Sequence, residues 1–152
     1  MVRPARPDES EALARILWRC RNEMDYLPPV PEEHVARIAG DMFEYHDEVW
    51  VAEHEGRPLG FLALRRSRTN HWETLEKLYV DPTEQGRRIG TVLLEKAKEL
   101  RPGGLHLWVF QKNEGARRFY ERHGFQLVKL TDGSANMERE PDALYEWRPR
   151  QA

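Results

Sequence analysis

The chain has 152 residues, with 24 Lys or Arg against 26 Asp or Glu, five Trp and five Phe. That length suits one compact domain over 1–152 and is enough to bury a real core, while the aromatic content argues against disorder. A single cysteine excludes an internal disulfide and a cysteine metal cluster, and no apolar run approaches the roughly 20 residues that a membrane helix needs.

The opening MVRPARPDES has no apolar secretory core, so a cytoplasmic location is expected. Asp8 or Ser10 then caps a first helix reaching about Arg21, with Leu13, Ile16 and Leu17 at helical spacing. Residues 26–31 hold three prolines and must form a loop. A shorter helix follows Pro31 and is expected to stop at Gly40. Val49–Glu53 and Leu59–Leu64 read as a hairpin joined through Gly56. Glu73–Val80 is a third strand closed by Asp81-Pro82. Ile89–Leu100 carries Ile89, Val92, Leu93, Ala97 and Leu100 on one stripe and ends before Pro102-Gly103-Gly104. Leu105–Phe110 is a strand, Gly115–Arg122 a helix stopped by Gly124, and Phe125–Leu130 and Ala143–Trp147 are closing strands. The order implies an α/β architecture, a mixed sheet covered by helices, with 73–80 and 105–110 parallel across the intervening helix.

The segment from Leu78 to Gly90, LYVDPTEQGRRIG, carries the most chemistry. A strand passes through a short polar loop into the first turn of an amphipathic helix. The first amides of such a helix have no internal partners, and its dipole adds about half a positive charge there, so a phosphate is well matched. Gly86 and Gly90 admit a ligand close to the backbone, and Arg87 and Arg88 add charge. The segment lacks the Gly-Lys-Ser/Thr of a nucleotide-triphosphate loop and the GxGxxG of a dinucleotide fold.

These residues resemble a family. Leu-Tyr-Val-Asp-Pro followed by Gln85-x-x-x-x-Gly90 looks like the signature of the GCN5-related N-acetyltransferases, usually Gln/Arg-x-x-Gly-x-Gly/Ala. Asn113-x-x-Ala116-x-x-Phe119-Tyr120-x-x-x-Gly124-Phe125 is similar to a second family segment. One departure stands out, because Arg88 occupies the motif's penultimate glycine position.

The resemblance implies an acetyl-CoA-dependent N-acetyltransferase acting directly on a primary amine of a small molecule or peptide. Leu78, Tyr79 and Val80 would flank the pantetheine arm, with the backbone groups of Leu78 and Val80 pairing to it. Gln85, Gly86, Arg87, Arg88, Ile89 and Gly90 would hold the diphosphate. Asn113 would hydrogen-bond the arm, Ala116 and Phe119 would pack beside it, and Arg122 would reach an adenosine phosphate. Tyr120 stands where the family commonly places its general acid. Glu76 is the expected base, chosen over Glu73 by strand alternation; a bulge would reverse that parity, and a water relay is an alternative. A non-catalytic acyl-CoA sensor or a transferase of longer acyl chains remains the rival reading.

Residues 21–60 hold three Arg against ten acids, whereas 83–129 hold ten Lys or Arg against five, which suits a cationic acceptor on one side and a polyanion on the other. Tyr26, Trp50 and Trp72 are expected to line the amine entrance, with Glu23, Asp25, Glu44, Asp47 and Glu48 supplying negative potential. The stretch 136–145 is expected to close over the substrate or to pair with a second subunit in a homodimer. His34, His46, His54, His71, His106 and His123 are scattered, so no metal is expected. Nucleic-acid binding is disfavoured, because the basic segment lacks a stacking surface.

Overall fold

The computed structural model describes residues 1–149. It contains β1 (Val2–Pro4), α1 (Ser10–Asn22), α2 (Val35–Asp41), β2 (Glu48–His54), β3 (Arg57–Arg66) and β4 (Glu73–Val80). These are followed by α3 (Ile89–Leu100), β5 (Leu105–Phe110), α4 (Glu114–Arg122), β6 (Gln126–Leu130) and β7 (Asp142–Trp147). All seven strands join one mixed sheet in the order β1-β2-β3-β4-β5-β7-β6. The chain closes by inserting β7 between β5 and β6, antiparallel to both.

Two apolar layers cover the sheet. On one face Leu93, Leu94 and Ala97 of α3 pack with Leu62, Leu64, Leu75 and Leu105. On the other, Leu13, Ile16 and Leu17 of α1 pack with Val49, Val51 and Phe61. The hairpin between β2 and β3 turns through Glu55 and Gly56, both at positive φ (53° and 80°), the two-residue turn whose twist suits paired strands.

Two local features shape the middle of the sheet. The β3–β4 register slips, with Ala63 opposite Lys77 and Leu64 opposite Leu75, so Glu76 is the extra residue of a bulge. Leu75 and Leu78 consequently share the α3 face although three positions apart, and Tyr79 packs toward α1. The second feature is the parallel β4–β5 pairing, which registers at Thr74 and His106 alone. Beyond that point the strands part, while β5 stays paired with β7 along its length.

Two expectations about α1 and α2 need correcting. Neither Asp8 nor Ser10 caps α1. Its entry is fixed by Glu9, which accepts from the Arg6 amide at 2.8 Å and from both terminal nitrogens of Arg3 at 2.9 and 2.8 Å. Gly40 does not stop α2, which runs on to Asp41, because the glycine stays helical rather than turning left-handed. The opening strand β1 went unrecognised in the sequence, since three residues ending in proline are too short for a periodic signal.

The bidentate Arg3 contact holds the Glu9 carboxyl down, at about 2, against the opposing effect of burial. Folded Glu9 therefore binds protons less readily than unfolded Glu9, whose pKa lies near 4.5. Its stabilisation is full above that value and lost as pH falls toward 2. Urea midpoints measured between pH 5 and pH 2 should fall more steeply for the native protein than for Glu9→Gln, which lacks the titrating group.

Candidate active site

The parting of β4 and β5 opens the sheet, and two cavities meet there. The larger, of about 860 Å³, is bounded by the end of β4, the loop into α3, the inner side of α4 and residues 20–26. The smaller, of about 520 Å³, lies between β4, β5 and the loop joining β6 to β7. Met24, Leu78, Tyr79, Asn113, Ala116 and Tyr120 line both. They mark the junction.

The β4 edge at this opening is chemically unfinished. The Asp81 amide donates to Leu59 on the β3 side at 2.8 Å, so alternation turns the backbone groups of Leu78 and Val80 toward the gap. The Val80 carbonyl is taken by the Cys20 thiol at 3.1 Å. Burial, helped by Glu23 and Asp81, pushes that thiol up to about 12. Cys20 is thus a protonated donor that trims the cavity wall, not a nucleophile.

Asp81 fixes the start of the following loop. Burial alone would raise its carboxyl, but the Thr83 amide and hydroxyl and the Arg19 guanidinium, at 3.1, 2.9 and 2.9 Å, together lower it. The chain then turns through Gly86 (φ 89°) and Arg88 (φ 63°) before α3 begins at Ile89. Arg88, at the motif's glycine position, thus adopts the left-handed backbone that a glycine takes freely; for a side chain this costs about 1–2 kcal/mol. It has no capping partner for the first amides of α3, which point into the larger cavity's wall at Ile89, Gly90 and Thr91.

The two arginines separate. Arg87 turns to Glu84, 3.3 Å away, a buried carboxylate that also pairs with Arg57 at 2.8 Å. Arg88 lines the cavity and Arg87 does not. Gln85, Gly86, Ile89 and Gly90 line it as well, and so do Leu78, Tyr79, Val80, Asn113, Ala116, Phe119 and Arg122. Gly90 faces Phe119 and Val80, whose side chains would sit 3.5 and 3.7 Å from an added Cβ.

Helix α4 begins at Asn113, whose Oδ1 accepts from the Ala116 amide at 3.2 Å. Among the described residues its Nδ2 has no partner, which leaves a donor at the junction. Within the helix, Tyr120 packs edge-to-face on Phe119 and Phe125, with ring centroids 5.3 and 5.5 Å away. Burial, with Tyr79 adding to it, pushes the Tyr120 phenol well above its ordinary value, so it keeps its proton at neutral pH.

The smaller cavity is acidic and aromatic. Glu76, Glu138 and Asp142 line it with Trp108, Phe110 and a single cation, Lys77. Glu76 is exposed and belongs to the same cavity as Tyr120. Glu73 is elsewhere, 3.0 Å from Arg101. The β6–β7 loop is held in shape: Asn136 and Glu140 exchange two bonds at 2.8 and 3.2 Å, and Asp142 binds Asn136 and the Thr131 hydroxyl. A Cβ on Gly133 would collide with the Glu140 backbone, so only glycine closes this loop.

Other expected entrance residues lie away from both cavities. Trp50 donates to Glu48 at 2.8 Å and lies under Lys96. Trp72 stacks on His106, with centroids 3.8 Å apart, at the other end of the opening. Asp47 accepts from the Arg66 amide and Glu48 pairs with Arg101, and Glu44 lines neither cavity. Of that expected set, Tyr26, Glu23 and Asp25 line the larger cavity. Of the stretch 136–145, expected to close over the substrate or to pair with a second subunit, Asn136, Glu138 and Asp142 line the smaller cavity, whereas Trp108, Phe110, Lys112 and Arg118 were not expected at either cavity. Alternation along 105–110 placed Trp108 and Phe110 on one face and was the signal available for that pair. Among the described residues no cluster of His, Cys, Asp or Glu could hold a metal, and no helix is long and apolar enough to cross a membrane.

Residues 45–127 match the acetyltransferase (GNAT) domain. The chain belongs to the GNAT acetyltransferase family. An uncharacterized N-acetyltransferase of Methanocaldococcus jannaschii is 36% identical over 100 residues, which are 60% of this chain and 44% of that protein. Peptidyl-lysine N-acetyltransferase YjaB of Salmonella typhimurium is 31% identical over 130 residues, 84% of this chain and 83% of that one. The crystal structure of the PaiA N-acetyltransferase from Thermoplasma acidophilum in complex with coenzyme A superimposes with a TM-score of 0.73, over 97% of this chain and 98% of that one, at 20% identity. The mixed sheet flanked by helices is the fold of this family, and the chain is an N-acetyltransferase with acetyl-CoA as its acyl donor.

Asn113 links helix start to junction, so its removal has two readouts. Asn113→Ala should cost about 1 kcal/mol of stability through the lost cap, seen as a lower urea midpoint. It should also raise KM for acetyl-CoA, because the free Nδ2 donor goes with it.

Proposed function

We propose that the chain transfers acetyl from acetyl-CoA to a cationic primary amine, a lysine side chain of a protein or peptide being the best match, with Tyr120 as general acid and Glu76 as base. One observation carries the reading: Tyr120 stands where a phosphate-suited cavity meets an acidic one. YjaB, the Salmonella relative, is named for peptidyl-lysine acetylation. The carboxylates of Glu76, Glu138 and Asp142 suit an incoming ammonium, and Trp108 and Phe110 suit its methylene stem.

The donor's diphosphate sits against the loop Gln85–Gly90 and the free amides of α3, with Arg88 beside it. Its pantetheine arm takes the backbone groups that β4 leaves unpaired: Leu78 offers both, and Val80 offers its amide, its carbonyl being held by Cys20. The Asn113 Nδ2 gives a further bond to the arm. These contacts place the thioester at the junction.

The ammonium must lose a proton before it attacks, and Glu76, bulged into the acceptor cavity, accepts it directly or through water. The nitrogen then bonds to the acetyl carbon, while the developing oxyanion is met by the Val80 amide. As the carbon–sulfur bond breaks, the thiolate takes the proton that Tyr120 still holds at neutral pH, and the attacking nitrogen sheds its remaining extra proton, which returns through water to the phenolate so that Tyr120 ends as it began. Products are the N-acetylated amine and coenzyme A thiol, with no covalent enzyme intermediate.

Thiol release from acetyl-CoA with lysine-bearing peptides tests the assignment. Tyr120→Phe should lower kcat by about 10²–10⁴-fold while coenzyme A binding stays as it was; an unimpaired kcat would remove Tyr120 from the chemistry. Glu76→Gln should flatten the acidic limb of the kcat/KM profile. A profile identical to that of the native enzyme would transfer the base role to solvent. Thermal stabilisation by acetyl-CoA with no turnover on any amine would instead favour a sensor module.

A further inference from the structure

Among the described residues that line both cavities, Met24 alone comes from outside β4 and the α4 segment. It lies half-buried in the stretch that follows α1, and that stretch is held at several points. Trp18 Nε1 and Asn22 Nδ2 donate to the Val30 carbonyl at 2.7 and 3.1 Å, Asn22 Oδ1 accepts from the Val30 amide at 2.8 Å, and Arg21 donates to the Pro28 carbonyl at 3.1 Å. On the far side Tyr26 meets Phe110 of β5 edge-on, with ring centroids 6.0 Å apart, and Lys112 stands over the Tyr26 ring. The segment therefore crosses the opening from α1 to β5, tied on both sides. Met24 closes a turn within it: its amide donates to the Arg21 carbonyl at 3.2 Å and its carbonyl accepts from the Leu27 amide at 3.4 Å.

The acetyl group has few directions left to it. In the reaction proposed above, the thioester turns its oxygen to the Val80 amide on β4 and its sulfur to Tyr120, which packs on the α3 side of the sheet. The amine arrives from the smaller cavity. The remaining substituent of the planar carbonyl carbon is the methyl group, and the remaining side is that of α1, where Met24 and Tyr79 stand. The Tyr79 ring is packed into the α1 layer, with its centroid 5.9 Å from that of Phe61.

We propose that Met24, backed by Tyr79, forms the end wall of the acyl subsite and confines the enzyme to acetyl transfer. The wall rests on the acetyl-CoA reading and adds to it the residue that measures the acyl chain. The unbranched thioether of methionine fits closely against a methyl group. A chain longer by one methylene must displace that side chain, against a tied backbone, or turn into the path of the amine. A hydrophobic pocket separates substrates that differ by one methylene by about 10–200-fold.

The test compares acetyl-, propionyl- and butyryl-CoA in the native protein, M24A and M24L, by calorimetry without acceptor and by kcat/KM with a lysine-bearing peptide. In the native enzyme kcat/KM should fall about tenfold or more for each added methylene. M24A should use propionyl-CoA as well as acetyl-CoA, and its affinity for propionyl-CoA relative to acetyl-CoA should rise about fourfold over the native ratio, as one more buried methylene implies. M24L, which conserves the side-chain volume, should keep the native order. An affinity ratio in M24A equal to the native one would overturn the proposal, as would a native enzyme that uses butyryl-CoA as readily as acetyl-CoA. The bonds that anchor the loop do not run through the Met24 side chain, so M24A should melt close to the native protein. Native protein that transfers acetyl to no amine, with the affinity ratio still shifted in M24A, would refute the proposed reaction while supporting this wall.

Discussion

A backbone amide or carbonyl shut away from water must find a partner, and the opening between β4 and β5 leaves that demand unmet until a ligand arrives. The two strands register only at Thr74 and His106. Past that point β4 has β3 on one side and no strand on the other, where the Cys20 thiol takes the Val80 carbonyl, so Leu78 and the Val80 amide present unpaired groups to a cavity. The bulge at Glu76 sits just before them and sets which face each residue takes. β7 takes the far edge of β5 along all six residues, and the near edge of β5 stays free past His106. The gap is therefore bordered by two strand edges, and the proposed reading seats an extended amide-bearing arm there.

The second constraint is electrostatic, and it explains why tandem arginines in the phosphate loop do different work. Glu84 is buried, and a buried carboxylate without a cation would be costly. Arg57 and Arg87 both answer it, tying the loop to β3. Arg88 is released to the cavity but accepts a left-handed backbone that the usual glycine would take without strain. The loop exchanges conformational ease for a charge on the ligand side. The buried Asp81, held by Thr83 and Arg19, performs the matching task at the loop's entry.

The parts of the molecule legible in the sequence are those with local causes. The bounds of β4, α3 and β5 follow from a proline stop, an amphipathic stripe and a Pro-Gly-Gly break. The donor side was legible for the same reason, since nearly all of it comes from one strand–loop–helix and one further helix. What the sequence hid is set by distant pairing. β7 enters between β5 and β6, and no periodicity announces where a strand inserts. Trp50 and Trp72 looked like entrance aromatics, but register sends one to the α3 face and the other onto His106. Glu76 was expected from regular alternation, but it is the residue that a bulge adds, and it lines the acceptor cavity from that position.

The acceptor side illustrates that division most sharply. Its acids come from three places: Glu76 from a bulge, Glu138 from a loop and Asp142 from the first residue of an inserted strand. The acidic run over 21–60 contributes Glu23 and Asp25 to the donor cavity instead, so regional charge pointed to the right polarity through the wrong residues. The two cavities differ in kind more than in sign. Glu23, Asp25, Glu84 and Glu114 line the larger one beside its arginines and lysine, so the feature that favours a polyanion there is the exposed amide end of α3 and not net charge. The smaller one has three carboxylates against a single lysine, which favours a cation, and Tyr120 stands on the wall that both share.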